Sequence, residues 1–221
     1  MNPWLAASLC LLGVWLIIFA VRPKLRKEML TMSFLTMPLG FTEPIFVPEY
    51  WNPPSLFNLA TNTGFDIESL IFSFAFGGIA AVLYEAVMNV KHQRVYDRGV
   101  FHVFSITLPA VVFLGLYLFS SLNPIYSVII SGFVGSFVVM ACRKDLIVPT
   151  VFGGLIFLTL YTLGFLIILF VYPGFSSYWN VSALSGVFVF GIPLEELLFA
   201  FSMGMVWSTL YEHAMRLRII M

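Results

Sequence analysis

The sequence predicts an all-α integral membrane protein: seven transmembrane helices as two parallel three-helix repeats joined by a linking helix (3+1+3). Three observations carry that expectation. Of 221 residues, 60% are hydrophobic and 10% charged, with a mean hydropathy of +0.98; a soluble domain carries about 25% charged residues. Seven apolar stretches are each long enough to cross a hydrocarbon core of ~30 Å. The chain also repeats itself. Shifted by 127 positions, Gly64, Glu68, Leu70, Phe72, Phe74, Gly77, Leu83, Tyr84 and Glu85 fall on Gly191, Glu195, Leu197, Phe199, Phe201, Gly204, Leu210, Tyr211 and Glu212. Identities that dense, without a gap, mark a duplicated unit.

In chain order, the stretches are Pro3–Val21, Met29–Val47, Asp66–Val90, Phe101–Leu122, Pro124–Cys142, Val148–Tyr172 and Ile192–Met215. Arg22, Lys24, Arg26 and Lys27 follow the first. Lys91, Arg94 and Arg98 follow the third, Arg143 and Lys144 the fifth, and Arg216 and Arg218 the seventh. All eleven basic residues therefore share one side. The positive-inside rule makes that side cytoplasmic, with the N-terminus outside and the C-terminus inside. No basic segment precedes the first stretch, so no cleaved signal peptide is expected. Cys10 and Cys142 are expected too far apart to bridge.

Two further matches extend the repeat. Arg26-Lys27-Glu28-Met29 corresponds to Arg143-Lys144-Asp145-Leu146 after the first helix of each copy. Tyr50-Trp51-Asn52 corresponds to Tyr178-Trp179-Asn180 in the outer loop before the third. The chain divides into a first repeat at 1–98, a linking helix at 99–122 and a second repeat at 123–221. Corresponding helices run the same way, which implies a pseudo-two-fold axis along the membrane normal. Glu68 and Glu195 then face each other near the outer ends of their helices. Pro48–Phe65 and Pro173–Phe190 are long outer loops, and their Tyr and Trp residues fit an interfacial belt or a substrate contact.

Acids within an apolar run are functional suspects, because a charge there is costly. Glu28, Glu85, Asp97, Asp145 and Glu212 lie among the basic residues. Glu43, Glu49, Asp66, Glu68, Glu195 and Glu196 lie on the other side, where the sequence places no Lys, Arg or His. Carboxyls without cationic partners are candidates to hold and release a proton, as a general acid must. Each also has a simpler reading. Pro193 suits a first helical position, and Glu195 two residues later could cap the helix start. Glu196 could face headgroup water, and Asp66 reads as an N-cap. No dinucleotide fingerprint, phosphate loop, magnesium-binding Asp pair, intramembrane Lys or His/Cys cluster is present. No nucleic-acid partner is indicated. Abundant Phe, Tyr and Trp could line a cleft and stabilise a carbocation by cation–π attraction.

Pro193-Leu194-Glu195-Glu196 with Leu197-Leu198-Phe199 resembles the Pro-x-Glu-Glu motif of membrane-embedded lycopene cyclases, the heterodimeric actinobacterial type and its fused archaeal and fungal relatives. The three-plus-one-plus-three layout and Glu43-Pro44 through Tyr50-Trp51 are similar too. In the first copy Asp66 replaces the Pro and Ser69 the second Glu. The resemblance implies a redox-neutral isomerisation of linear carotenoid ends, without cofactor or metal. An acid protonates the terminal double bond, an inner alkene closes a six-membered ring on the cation, and a base removes a proton. Glu195, Glu68, Glu196 and Glu43 are the expected acid and base residues. Pro193, Phe72, Phe199, Tyr50, Trp51 and Trp179 are the residues expected against the substrate, a linear carotenoid such as lycopene reached from the bilayer. A prokaryotic cell membrane is the expected location, and a homo-oligomer or neighbouring carotenoid enzymes are conceivable partners. Two other readings remain open on the sequence: a small-molecule transporter of the same 3+1+3 layout, and a non-catalytic carotenoid-binding subunit.

Overall fold

The computed structural model describes residues 2–94 and 101–220. Asp97, Arg98 and the expected boundary at 98/99 lie outside them. The described chain is mostly helical. Its helices are α1 (Pro3–Val21), α2 (Arg26–Thr36), α3 (Glu43–Phe46), α4 (Leu59–Thr63), α5 (Ile67–Met88), α6 (Phe101–Phe119), α7 (Pro124–Cys142), α8 (Ile147–Val171) and α9 (Leu194–Met215). Short strands β1 (Lys91–Arg94) and β4 (Leu217–Ile220) pair antiparallel, as do β2 (Phe188–Val189) and β3 (Ile192–Pro193).

Four helical segments among the described residues are long and apolar enough to cross a membrane: Pro3–Val21, Ile67–Met88, Pro124–Cys142 and Lys144–Val171. Ile106–Phe119 is a shorter apolar helix. The helix of α9 spans 22 residues but opens on two carboxylates. The second expected stretch is not a single α-helix. It runs as α2, a 3-10 segment at Met37–Thr42 and then α3. Pro38 lacks the N–H that would bond back one turn, so the α-helical ladder stops there.

The start of each repeat is built alike. Asn2 caps α1, its Oδ1 accepting from the Trp4 and Leu5 amides at 2.9 and 3.4 Å. Asn123 caps α7, accepting from the Ile125 amide at 3.1 Å. A Pro at the first helical position follows each cap, where its missing N–H costs nothing.

Pro193 corrects the expectation that it opens a helix. It ends β3, opposite Phe188, and the helix begins one residue later. Phe190 and Gly191, with φ of 54° and 81°, form the two-residue turn between β2 and β3. Positive φ at both central residues is the hairpin turn that matches strand twist. The repeat partner Gly64 has the same sign, φ 83°, at the end of α4. This left-handed backbone accounts for glycine at both repeat positions.

The chain forms two compact units. The first holds residues up to Ile79 together with Leu160–Leu197. Within it the Trp15 indole donates to Ser33 Oγ at 2.9 Å, tying α1 to α2, and Thr36 Oγ1 donates to the Ser73 carbonyl at 2.8 Å, tying α2 to α5. The second holds Ala80–Thr159 and the residues from Leu198 onward. There α6 packs on α7, Thr150 and Thr209 hydroxyls meet at 3.1 Å, and Arg143 bonds both Asp145 oxygens and the Leu217 carbonyl. Cys10 and Cys142 are both free.

Candidate active site

The first unit gathers the outer acids. Its two long loops are joined through the repeated triplets. The Asn52 amide donates to the Tyr178 carbonyl at 2.7 Å, and the Asn180 amide donates to the Tyr50 carbonyl at 2.8 Å. Trp51 and Trp179 form the antiparallel bridge between them. The exchange is reciprocal, so swapping one triplet for the other leaves the pattern unchanged. Tyr50, Trp51 and Trp179 are buried, which corrects the expectation of a wet interfacial belt at these positions.

That bridge delivers Tyr50 to Glu196. The Tyr50 hydroxyl donates to Glu196 Oε2, and the Tyr161 hydroxyl, from α8, donates to Oε1 at 2.5 Å. Both carboxyl oxygens therefore have a phenolic donor, and the side chain is buried rather than facing headgroup water. Glu43 lies in electrostatic range of Glu196. It also faces Ser69, Trp51 and Asp66. The break in the second stretch makes this possible. In the 3-10 segment Gly40 comes so close to α5 that a Cβ there would stand 2.7 Å from the Ser69 carbonyl oxygen. A straight helix with a side chain at this point could not bring Glu43 down beside Ser69.

Glu68 and Glu195 are placed differently. Glu68 Oε1 accepts from the Leu56 amide at 2.7 Å and from Asn2 Nδ2 at 2.8 Å. Glu195 Oε1 accepts from the Ser185 amide at 2.7 Å. In each repeat, the same glutamate ties the preceding loop to the start of its helix. Asp66 is the N-cap of α5, its Oδ1 accepting from the Ser69 amide at 2.5 Å.

Beside this cluster is an apolar cavity of about 300 Å³ between α1, α5 and α8, walled by Trp4, Leu11, Val14, Phe72, Tyr161 and Phe165 among others. Aromatic rings continue from it in contact. Trp4 meets Trp51 edge-on at 4.5 Å and Phe72 at 5.0 Å, while Tyr161 lies 4.9 Å from Phe165, which reaches Trp179 at 5.7 Å. Of the residues expected against the substrate, Phe72 lines this cavity and Tyr50 reaches its acid. Trp51 and Trp179 back the wall, Pro193 lies in β3, and Phe199 falls in the second unit.

Residues 2–87 and 123–214 match the family model described as lycopene cyclase. The chain belongs to the lycopene cyclase family. The match falls in two blocks, one on each repeat, and omits 88–122. No curated protein and no solved structure matches the chain. Of the residues gathered in this cluster, the sequence singled out the acids but not Tyr161, Trp4 or Asn2. Tyr161 carries one sequence signal: it is the one residue of α8 that is not aliphatic, Thr, Phe, Gly or Pro.

Proposed function

We propose that this chain cyclises the open ends of a linear carotenoid of the lycopene type, as an intramolecular, redox-neutral reaction within the bilayer. The observation that carries the reading is Glu196, buried, gripped by two tyrosines and flanked by Glu43, directly behind an aromatic cavity. Family membership supports a carotenoid as substrate.

The chemistry needs one acid, one base and a dry, cation-tolerant wall. A proton adds to the terminal alkene, forming a C–H bond and a tertiary cation. The inner alkene's electron pair forms the ring bond and moves the cation inward. Loss of a proton from a neighbouring carbon restores the alkene, so the molecular formula is unchanged. Glu196, with Glu43 in electrostatic range beside it, supplies the acid and base functions. Trp4, Phe72 and Phe165 present ring faces to the cation. Glu68 and Glu195, in this reading, hold the loops that close the site. A cavity of about 300 Å³ is at the small end for ligand sites. It suits one carotenoid end, the remainder of the chain lying among lipid tails or against α1 and α8. The seven-span 3+1+3 arrangement, with the acids toward the outside of a prokaryotic cell membrane, belongs to the same proposal.

Expression in lycopene-accumulating cells, with pigment chromatography, tests it. New cyclic carotenoids are expected from the wild type, and Glu196→Gln should lower their formation by at least about a hundredfold, the lower range of general acid–base effects. Bound but unchanged pigment would instead indicate a carotenoid-binding subunit, and near-normal rings from the Gln variant would remove Glu196 from the chemistry.

A further inference from the structure

Glu196 does not itself line the cavity. Tyr161 does, and it is also bonded to Glu196 Oε1. Glu196's other donor, Tyr50, is not part of that wall. The other polar groups among the cavity's lining residues are the Trp4 indole, which cannot exchange a proton at a useful rate, and the Cys10 thiol on α1. Tyr161 is thus the side chain that spans from the carboxyl to the space a carotenoid end would occupy.

Resting on the cyclase reading above, we propose that Tyr161 is a catalytic residue: its phenol relays the proton between Glu196 and the substrate in both directions. The phenol-to-Oε1 hydrogen bond is that of the carboxylate state. In the opening step the protonated Glu196 donates the other way, giving its proton to the Tyr161 oxygen as Tyr161 gives its own to the terminal alkene carbon. Glu196 is left as carboxylate, Tyr161 as neutral phenol and the substrate as cation. In the closing step the phenol oxygen takes a proton from the ring carbon that is to become alkene and passes its own to Glu196. One proton is lent and one is returned, and no other reactant is needed. A single oxygen can serve both steps, because the carbon that gains the proton and the carbon that loses it become members of one six-membered ring. Concerted transfer lets the alkene feel the acidity of the carboxylic acid, not that of an isolated phenol. The ring stack from Phe72 through Tyr161 to Phe165 fixes the phenol's orientation.

Tyr161→Phe in protein reconstituted in lipid, supplied with lycopene, is the test. The variant keeps the ring stack and the cavity and removes the relay. Turnover should fall at least about a hundredfold while lycopene still quenches the protein's tryptophan fluorescence. 3-Fluorotyrosine placed at position 161 keeps the shape and gives a more acidic phenol, so it should move the pH profile of turnover. A merely structural tyrosine would not. If Tyr161→Phe fails to fold, the fluorotyrosine profile decides. Rings formed within threefold of the wild-type rate by Tyr161→Phe, or an unmoved profile with fluorotyrosine, would overturn the relay while leaving the cyclase reading intact. A wild type that forms no rings would overturn the cyclase reading itself.

Discussion

At the scale of residues, Glu43, Glu68, Glu195 and Glu196 of the first unit divide into two kinds by what stands around them. Glu68 accepts from two groups, the Leu56 amide and the Asn2 side chain. Both are donors that Gln can still satisfy through its carbonyl. Glu68→Gln should therefore keep most of the activity and thermal stability. Glu68→Ala strands the two donors, at about 1–3 kcal/mol each if buried, and should lower the unfolding midpoint in detergent clearly. Equal damage from both variants would give Glu68 a role in proton transfer. Glu196 should show the opposite sensitivity, because Gln preserves its shape and removes its proton. The sequence made these acids visible, since a carboxyl in an apolar run stands out by cost alone. It could not rank them. The partners that separate a loop anchor from a reactive pair lie far away: Tyr50 is 146 positions from Glu196 and Tyr161 is 35. A lone phenol in α8 marks Tyr161, but nothing local ties it to Glu196.

At the scale of elements, helix ends were legible where caps and prolines set them. Asn-Pro pairs begin α1 and α7, and both helices end at the basic clusters that follow. The broken second stretch was not, because hydropathy alone does not distinguish an α-helix from a 3-10 segment of the same length. Pro38 and Gly40 carry that break, and the break positions Glu43. Gly40→Ala adds a methyl that meets backbone atoms of Ser69 and Leu70 at 2.7–2.8 Å. Backbone cannot step aside as a side-chain tip can, so overpacking should cost about 1–3 kcal/mol. The shift also lifts Glu43 from Ser69, so cyclisation should fall by more than stability does. Gly13→Ala, with nothing within 4 Å of the new methyl, is the control and should match the wild type in detergent melting and in ring formation. Equal behaviour of the two variants would mean the 3-10 segment does not position the acid.

At the scale of the whole molecule, the duplication is written in the sequence and recurs in the reciprocal Tyr50–Asn52 and Tyr178–Asn180 bonds. The antiparallel pairing of Lys91–Arg94 with Leu217–Ile220 was not foreseen, because basic residues flanking apolar runs read as loops. The one-sided basic residues carry the expected orientation, with the acids outside. A cysteine introduced at Asn58 should react with an impermeant reagent in intact cells and one at Gln93 should not. The reverse pattern would place the acids on the cytoplasmic side.

The central claim is that carboxyls of this chain, exchanging with water, start a cyclisation in which no electrons are gained or lost. The most direct measurement is the deuterium content of rings made by the purified protein from lycopene in deuterated water, with no redox cofactor added. Each ring should carry about one carbon-bound deuterium from the initiating protonation. Rings formed without solvent deuterium, or formed only when a reduced flavin is supplied, would contradict it.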